Sequence, residues 1–314
     1  MLEKILSIYT RYFAVWVVVF GAVAYVRPEP FRALEPGYEC FFALTMFGIG
    51  VVLQMDDFRR ILKSPAIVVI GSVAQFTIMP LGAFMVSRLL GLPDELAVGL
   101  IITGAAPGAM ASNVMSYIAK ADTAYSVSLT TVSTALCPFL TPTLTFLLAS
   151  GTEFDVSIVD MTVDLMLMVI IPLFVGFAVR HFVGERLHKV LPVFPAISAT
   201  FIVFICSLVI ALNRERLGKV VGIVLIAVVV LNVWGMLAGY GVGSLFRMGT
   251  ARRRTLAIEI GMQNAGLGTV LAKEHFGPEA TIPTAAFVFV CITTASIMAS
   301  IWQRRDASSG AAAK

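Results

Sequence analysis

The segment IEIGMQNAGLG, residues 258 to 268, places a carboxylate, two adjacent amides and three glycines within a strongly apolar part of the chain. A buried carboxylate is costly unless it is paired with a cation or protonated. No lysine or arginine lies inside the neighbouring apolar segments, so Glu259 is expected to bind a cation or a proton. The oxygen groups around it are hydroxyls, amides and backbone carbonyls, and these suit Na⁺ better than Ca²⁺, zinc or copper.

A second polar segment, GAAPGAMASN at residues 104 to 113, interrupts another apolar run. Proline removes a helical hydrogen bond, and the backbone groups freed at such a break cannot face lipid. Both segments are therefore expected to be unwound and to line a cavity or bind a ligand. Close packing of two glycine-rich helices is the alternative interpretation.

Two further sets of polar residues could join these segments. Ser126, Thr130 and Ser133 are spaced by four and three residues and share one helical face. About half of such hydroxyls are expected to bond to their own backbone instead. Gln75 is the amide of another apolar run, where a hydrogen bond between helices is a commoner role than ligand binding.

The elements that must position these residues are membrane helices. The mean hydropathy is +0.91, with 58% hydrophobic and 13% charged residues, which predicts an all-α integral membrane protein. The apolar runs predict ten transmembrane helices. They cover approximately residues 12–26, 40–54, 66–90, 95–118, 123–149, 161–180, 195–212, 220–246, 255–272 and 280–302.

The distribution of basic residues predicts the orientation. Roughly 16 of the lysines and arginines fall at the N-terminus, in every second loop and at the C-terminus, and such residues mark the cytoplasmic side. We therefore expect a multi-pass protein of the cell (inner) membrane with both termini in the cytoplasm.

The two broken spans occupy matching places, because each is the fourth span of a five-span half. An odd number of spans turns the second half upside down, which is the inverted-repeat plan of secondary transporters. The predicted repeats are residues 1–155 and 156–305, followed by a disordered tail at 306–314.

The chain resembles the bile acid:sodium symporter family at several motifs taken together. They are MFGIGVVLQMDDFRRILKSP, QFTIMPL, PGAMASNVMSYIAKAD, SVSLTTVSTALCPFLTP and EIGMQNAGLG. The resemblance implies a core domain of spans 3 to 5 and 8 to 10 and a panel domain of spans 1, 2, 6 and 7. It also implies that the fourth and ninth helices unwind and cross within the core.

The resemblance further implies two bound sodium ions that share one carboxylate. The first ion would be held by Ser112, Asn113, Ser126, Thr130 and Glu259. The second would be held by Gln75, Glu259, Gln263 and the backbone carbonyls of Ile260 and Met262. The substrate cavity would be lined by Met110, Ala111, Asn113 and Asn264.

The function expected from these features is sodium-coupled symport of an organic anion, bile-acid-like or a smaller carboxylate, by alternating access. The alternative is a proton-coupled carrier, or an exporter of a small organic or oxyanion, on the same fold. No sequence motif of a membrane enzyme is present. The expected partners are the anion and the lipid bilayer, with no nucleic acid and no obligatory protein partner, which is compatible with a monomer.

Overall fold

The computed structural model describes residues 6, 9, 13–154, 156–184, 190–191 and 193–312, and its regular elements are helices. In chain order they are α1 (Phe13–Val26), α2 (Glu29–Ala33), α3 (Tyr38–Val52), α4 (Met55–Lys63), α5 (Pro65–Leu89), α6 (Asp94–Ala105), α7 (Ala111–Ile118), α8 (Thr123–Ala149), α9 (Ile158–Leu165), α10 (Ile171–Val183), α11 (Val193–Leu245), α12 (Thr250–Gly261), α13 (Ala265–Phe276) and α14 (Thr281–Ala312). A 3₁₀ turn precedes α3, and a π-helical turn joins α9 to α10.

Several helices in the described residues are long and apolar enough to cross a membrane. Five meet this criterion, namely Pro65–Leu89, Thr123–Ala149, Ile158–Val183, Val193–Leu245 and Thr281–Asp306. A sixth span results if Glu35–Val52 and Met55–Leu62, which meet at 76°, are taken as one. The prediction of an all-helical, multi-pass membrane protein is confirmed, whereas the number of ten spans stays a prediction.

The two predicted broken helices are each divided in the structure. The first consists of α6 and α7, with 12 and 8 residues, and the second of α12 and α13, with 12 residues each. Each half alone is shorter than the roughly 20 residues needed to cross the hydrocarbon core. Their shortness explains why they are not among the long spans.

The prediction that spans 195–212 and 220–246 are two separate helices is wrong. Residues 193 to 245 form the single 53-residue helix α11, which includes the polar segment NRERLGK at 213–219. That segment has no proline, and arginine, glutamate, leucine and lysine are good helix formers. Charged residues therefore interrupt the apolar run without ending the helix.

The structure also differs from the predicted disorder of the tail at 306–314. Helix α14 continues to Ala312, while residues 313–314 lie outside the described part of the chain. Both oxygens of Asp306 accept 2.7 Å hydrogen bonds from the guanidinium of Arg254. This bidentate ion pair fixes the start of the tail to α12, and the alanines that follow favour a helix.

The helices pack into two groups that α11 joins. The first group contains α1, α3 and α10, which contact one another or the first part of α11. The second group contains the helices that surround the two breaks, namely α5, α6, α8, α12, α13 and α14. Helix α11 contacts α1 and α3 in the first group and α5, α12 and α14 in the second. The second group therefore positions the candidate site.

Candidate functional site

The two helix breaks lie side by side in the protein interior. The amide of Ala109 donates to the carbonyl of Met262 at 2.9 Å, and the amide of Asn264 donates to the carbonyl of Pro107 at 2.8 Å. Backbone groups that leave a helix inside a membrane protein must find partners within the protein. Here each unwound segment satisfies the other, as in a very short antiparallel pair of strands.

The carboxylate of Glu259 lies at this crossing and is 2% exposed. Its Oε2 accepts hydrogen bonds from Ser112 Oγ at 2.6 Å and Ser126 Oγ at 2.8 Å, and its Oε1 accepts from Thr130 Oγ1. All three hydroxyl groups belong to fully buried residues. No ion pair found among the described residues includes Glu259, so neutral donors alone surround a buried acid.

The hydrogen-bond directions at this cluster leave lone pairs facing one another. Each hydroxyl has one proton, and Ser112, Ser126 and Thr130 all donate theirs to Glu259. Thr130 Oγ1 also lies 3.5 Å from Ser112 Oγ, 3.4 Å from Asn113 Oδ1 and 3.1 Å from the carbonyl of Ser126, and its one proton cannot serve all of these oxygens. A set of converging oxygens beside a carboxylate is the donor chemistry that a hard monovalent cation requires.

The structure thus brings together all five predicted ligands of the first sodium ion. Ser133, on the same face of α8, has a different role. Its Oγ accepts from the amide of Gly108 at 3.2 Å and donates to the carbonyl of Thr130, so it supports the break in the first unwound segment. A side chain at Gly108 would also be obstructed, because a Cβ there would lie 2.6 Å from Glu259 Oε1.

The predicted ligands of the second ion form a separate chain of amides. Gln75 Nε2 donates to Gln263 Oε1 at 2.6 Å, and Gln263 Nε2 donates to the carbonyl of Ile260 at 2.9 Å. The Oε1 of Gln75 is buried and has no hydrogen-bond partner in the described part of the chain. The carbonyl of Met262 accepts the amide of Ala109 from the other break.

If oxygen and nitrogen were exchanged in the side-chain amides of both Gln75 and Gln263, Gln263 Oε1 would face the carbonyl of Ile260. The two orientations of a side-chain amide have the same shape, so its oxygen and nitrogen are assigned from the hydrogen-bond network. In the reversed orientation Gln263 Nε2 would satisfy Gln75 Oε1, and Gln263 Oε1 and the carbonyl oxygen of Ile260 would face each other as two acceptors with no proton between them. Glu259 makes no hydrogen bond to either glutamine among the described contacts, so the structure joins it to the first ligand set alone.

The four predicted substrate residues lie at the edge of this buried cluster. Met110, Ala111, Asn113 and Asn264 are each partly exposed, in contrast to the fully buried hydroxyls. The side chain of Asn264 accepts from the amide of Leu267 at 3.1 Å and so caps the N-terminus of α13. The partial positive charge of that helix end is favourable for an anion near Asn264.

One buried polar residue of the site was missed by the sequence analysis. Asn232 in α11 donates its Nδ2 to the carbonyl of Gly261 at 2.7 Å, at the second break. The available signal was a single amide in the apolar run IVLIAVVVLNVWGM. Its partner could not be identified without knowing that α11 packs on α12.

The thiols and imidazoles stand apart from these oxygens. No group of three or more histidine, cysteine, aspartate and glutamate side chains that could hold a metal was found in the described part of the chain. The ligand chemistry at the crossing is therefore that of one carboxylate with neutral oxygens. It suits an alkali cation rather than a transition metal.

Comparison of the sequence with known proteins finds relatives among sodium-linked transporters. Residues 40–239 match the model of the Sodium Bile acid symporter family. The chain is 38% identical over 306 residues to the "Uncharacterized sodium-dependent transporter YocS" of Bacillus subtilis (strain 168), covering 97% of this chain and 95% of that protein. It is 34% identical over 294 residues to the "Probable sodium/metabolite cotransporter BASS1, chloroplastic" of Arabidopsis thaliana, covering 93% of this chain and 73% of that protein.

Proposed function

The chain belongs to the sodium bile acid symporter family, and from that membership we propose that it is a sodium-coupled symporter that carries an organic anion into the cell by alternating access. As a member it is a membrane transport protein and not an enzyme. The proposal goes further by assigning the coupling ions, the direction and the class of substrate.

The observation that carries the proposal is the environment of Glu259. An ionised carboxylate inside a membrane protein needs a positive charge, and the described structure offers it three hydroxyl donors and no basic side chain. The relatives' names refer to sodium-dependent transport and to sodium/metabolite cotransport. Sodium is therefore our choice for the missing charge.

We propose two sodium ions at the crossing, with Glu259 shared between them. The first would use the hydroxyls and Asn113, and the second the glutamine pair and the carbonyls of the second break. Occupation of both sites would link the two unwound segments through the ions as well as through their backbone hydrogen bonds. Sodium would in this way organise the surface that receives the anion.

The substrate in this proposal is a small organic anion, bound beside Met110, Ala111, Asn113 and Asn264. Their partial exposure next to the buried ion ligands supports this assignment. The capped N-terminus of α13 at Asn264 supplies partial positive charge for a carboxylate. The sodium ions at the crossing would add further positive charge.

The architecture proposed for this function is two inverted five-helix repeats, residues 1–155 and 156–305, with both termini cytoplasmic. It requires the chain to reverse direction at the polar middle of α11, so that residues 193–212 and 220–245 cross the membrane as two spans. Asn213 donates to the carbonyl of Pro278 at 2.9 Å and Arg216 pairs with Glu279, so this middle is bound to the loop between α13 and α14. Charged residues on both sides of this contact support a position at the membrane surface.

The grouping of the helices supports the proposed core and panel domains. Helices α1, α3 and α10 would belong to the panel, and the helices around the breaks would belong to the core. Movement of one group against the other would then expose the anion to alternate sides of the membrane. Helix α11, which contacts both groups, would link their movements.

The experiment that tests the proposal is thermal unfolding of the purified protein in sodium chloride and in choline chloride at equal ionic strength. A bound ion stabilises the folded state by RT ln(1 + [L]/Kd), about 2.7 kcal/mol at a hundredfold excess. We expect a sodium-specific rise in Tm for the wild type and its loss in Glu259→Ala. Glu274→Ala is the matched control, because Glu274 also accepts a hydroxyl hydrogen bond, from Tyr38, but lies away from the crossing.

The alternative function is a carrier driven by protons, with Glu259 as the titrating group. It predicts no difference between sodium and choline at any pH, and transport that responds to pH alone. That result would overturn sodium coupling and leave the carrier fold in place.

A further inference from the structure

Asn232 is fully buried in the second half of α11, at the interface with α12. Its Nδ2 lies 2.7 Å from the carbonyl oxygen of Gly261, the last residue of α12. The last carbonyls of a helix lack intrahelical donors and need partners from elsewhere. Asn232 supplies such a partner at the point where the second unwound segment begins.

Three successive carbonyls at this break accept hydrogen bonds from three different parts of the protein. The carbonyl of Ile260 accepts from the side chain of Gln263, and that of Met262 accepts from the amide of Ala109 in the first break. The carbonyl of Gly261, between them, accepts from Asn232. Each of these three carbonyls is therefore held by a different donor.

Close packing of α11 on α12 brings Asn232 within reach of the break. Gly235 and Gly239 follow on the same face, and a Cβ at these positions would lie 3.1 Å from the carbonyl oxygen of Ile260 and 2.5 Å from that of Leu256. Small residues allow helix backbones to approach in this way. The contact between Asn232 and Gly261 is thus part of a tight and specific interface.

Only one half of the Asn232 amide makes a hydrogen bond. Its Oδ1 is buried without a partner among the described residues, which is a cost for a residue inside a membrane protein. An apolar residue would avoid this cost, so packing alone does not account for an asparagine here. The donor to Gly261 is what the residue contributes.

We propose that Asn232 is a positioning residue for the second sodium ion, and this inference rests on the proposed function. Two of the proposed ligands of that ion are the carbonyls of Ile260 and Met262, on either side of Gly261. A peptide group is planar, so an anchored Gly261 carbonyl fixes the plane that contains the Cα atoms of Gly261 and Met262, from which the peptide groups of the two ligand carbonyls extend. Asn232 thereby fixes the spacing of two ligands without touching the ion.

The test is a titration of Tm against sodium concentration in Asn232→Leu, which keeps the approximate size and removes the donor. We expect the half-saturating sodium concentration, obtained as the Kd that fits the sodium stabilisation to RT ln(1 + [L]/Kd), to rise about tenfold, the change that corresponds to the loss of about one hydrogen bond. Ser207→Ala is the control on the same helix, because the buried Ser207 hydroxyl donates only to the carbonyl of Val203 among its described contacts. In this control the half-saturating concentration should not change.

A purely structural role for Asn232 would lower Tm in choline and leave the half-saturating sodium concentration unchanged, and this result would overturn the inference. If Asn232→Leu does not fold, Asn232→Ser replaces it, since its shorter side chain cannot span the same distance to Gly261. The same tenfold rise is expected, and an unchanged value again overturns the inference. A wild type without any sodium response would instead contradict the proposed function, and the inference with it.

Discussion

Thr130 and Thr131 are adjacent in α8, but their hydroxyls have different partners. Thr130 donates to the carboxylate of Glu259, whereas Thr131 donates at 2.8 Å to the carbonyl of Val127 in its own helix. The two residues therefore offer a matched pair. One belongs to the proposed first sodium site and the other belongs to α8 alone.

We predict that Thr130→Val raises the half-saturating sodium concentration for thermal stabilisation about tenfold or more, because it removes one ligand and one donor to Glu259. Thr131→Val should leave that concentration unchanged, since its hydroxyl serves only a backbone carbonyl in the described contacts. Titration of Tm with sodium at constant ionic strength checks both variants. Equal values for the two variants would exclude Thr130 from the ion site.

At the scale of residues, the sequence predicted the members of the hydroxyl cluster better than its internal geometry. Glu259 could be identified because it is a carboxylate without a cation in an apolar segment, and Ser126 and Thr130 because they share a helical face. The partner of Asn232 and the pairing of Gln75 with Gln263 depend on which helices meet. Residue type and spacing do not contain that information.

At the scale of elements, the break between α6 and α7 is shaped around the carboxylate of α12. A Cβ on Gly108 would approach Glu259 Oε1 to 2.6 Å, closer than side-chain atoms pack. At Gly268 in α13 the nearest atom to an added Cβ would be Thr284 Cγ2, at 3.5 Å, an ordinary contact. A side chain at Gly108 would therefore collide with Glu259 unless the carboxylate moves, whereas Gly268 has room for a methyl group.

We predict that Gly108→Ala displaces the carboxylate and abolishes most of the sodium-dependent rise in Tm. Gly268→Ala should keep the full rise and the same or slightly higher Tm in choline, since alanine favours a helix. Parallel Tm measurements in sodium and choline chloride check both. A normal sodium response in Gly108→Ala would show that Glu259 can move without loss of the site.

Among the helices, the two breaks were predicted correctly from the sequence, whereas the continuity of α11 was not. Pro107 with its neighbouring glycines correctly predicted the first break, and the polar, glycine-containing segment 258–268 correctly predicted the second. The charged segment in the middle of α11 interrupts the apolar run and so predicts a break, whereas its residues favour a helix and the helix continues through it. Charge indicates where a chain meets water, and it does not determine whether the helix ends there.

At the scale of the whole molecule, polar contacts hold α13 against the first packing group. Lys273 forms a 2.9 Å ion pair with Glu35, and Tyr38 donates to Glu274 at 2.6 Å. Helix α13 begins at the second break, so these contacts connect the crossing to α3 and the turn before it. In the proposed alternating access, they are the contacts that must separate when the two groups move apart on this side.

The central claim is that one buried carboxylate allows this molecule to hold two sodium ions at the crossing of its broken helices. The most direct measurement is the number of radioactive sodium ions bound per molecule of purified protein at saturation, for the wild type and Glu259→Ala. We predict two ions for the wild type and none for the variant. A wild type that binds no sodium, or a variant that still binds two ions, would contradict the account.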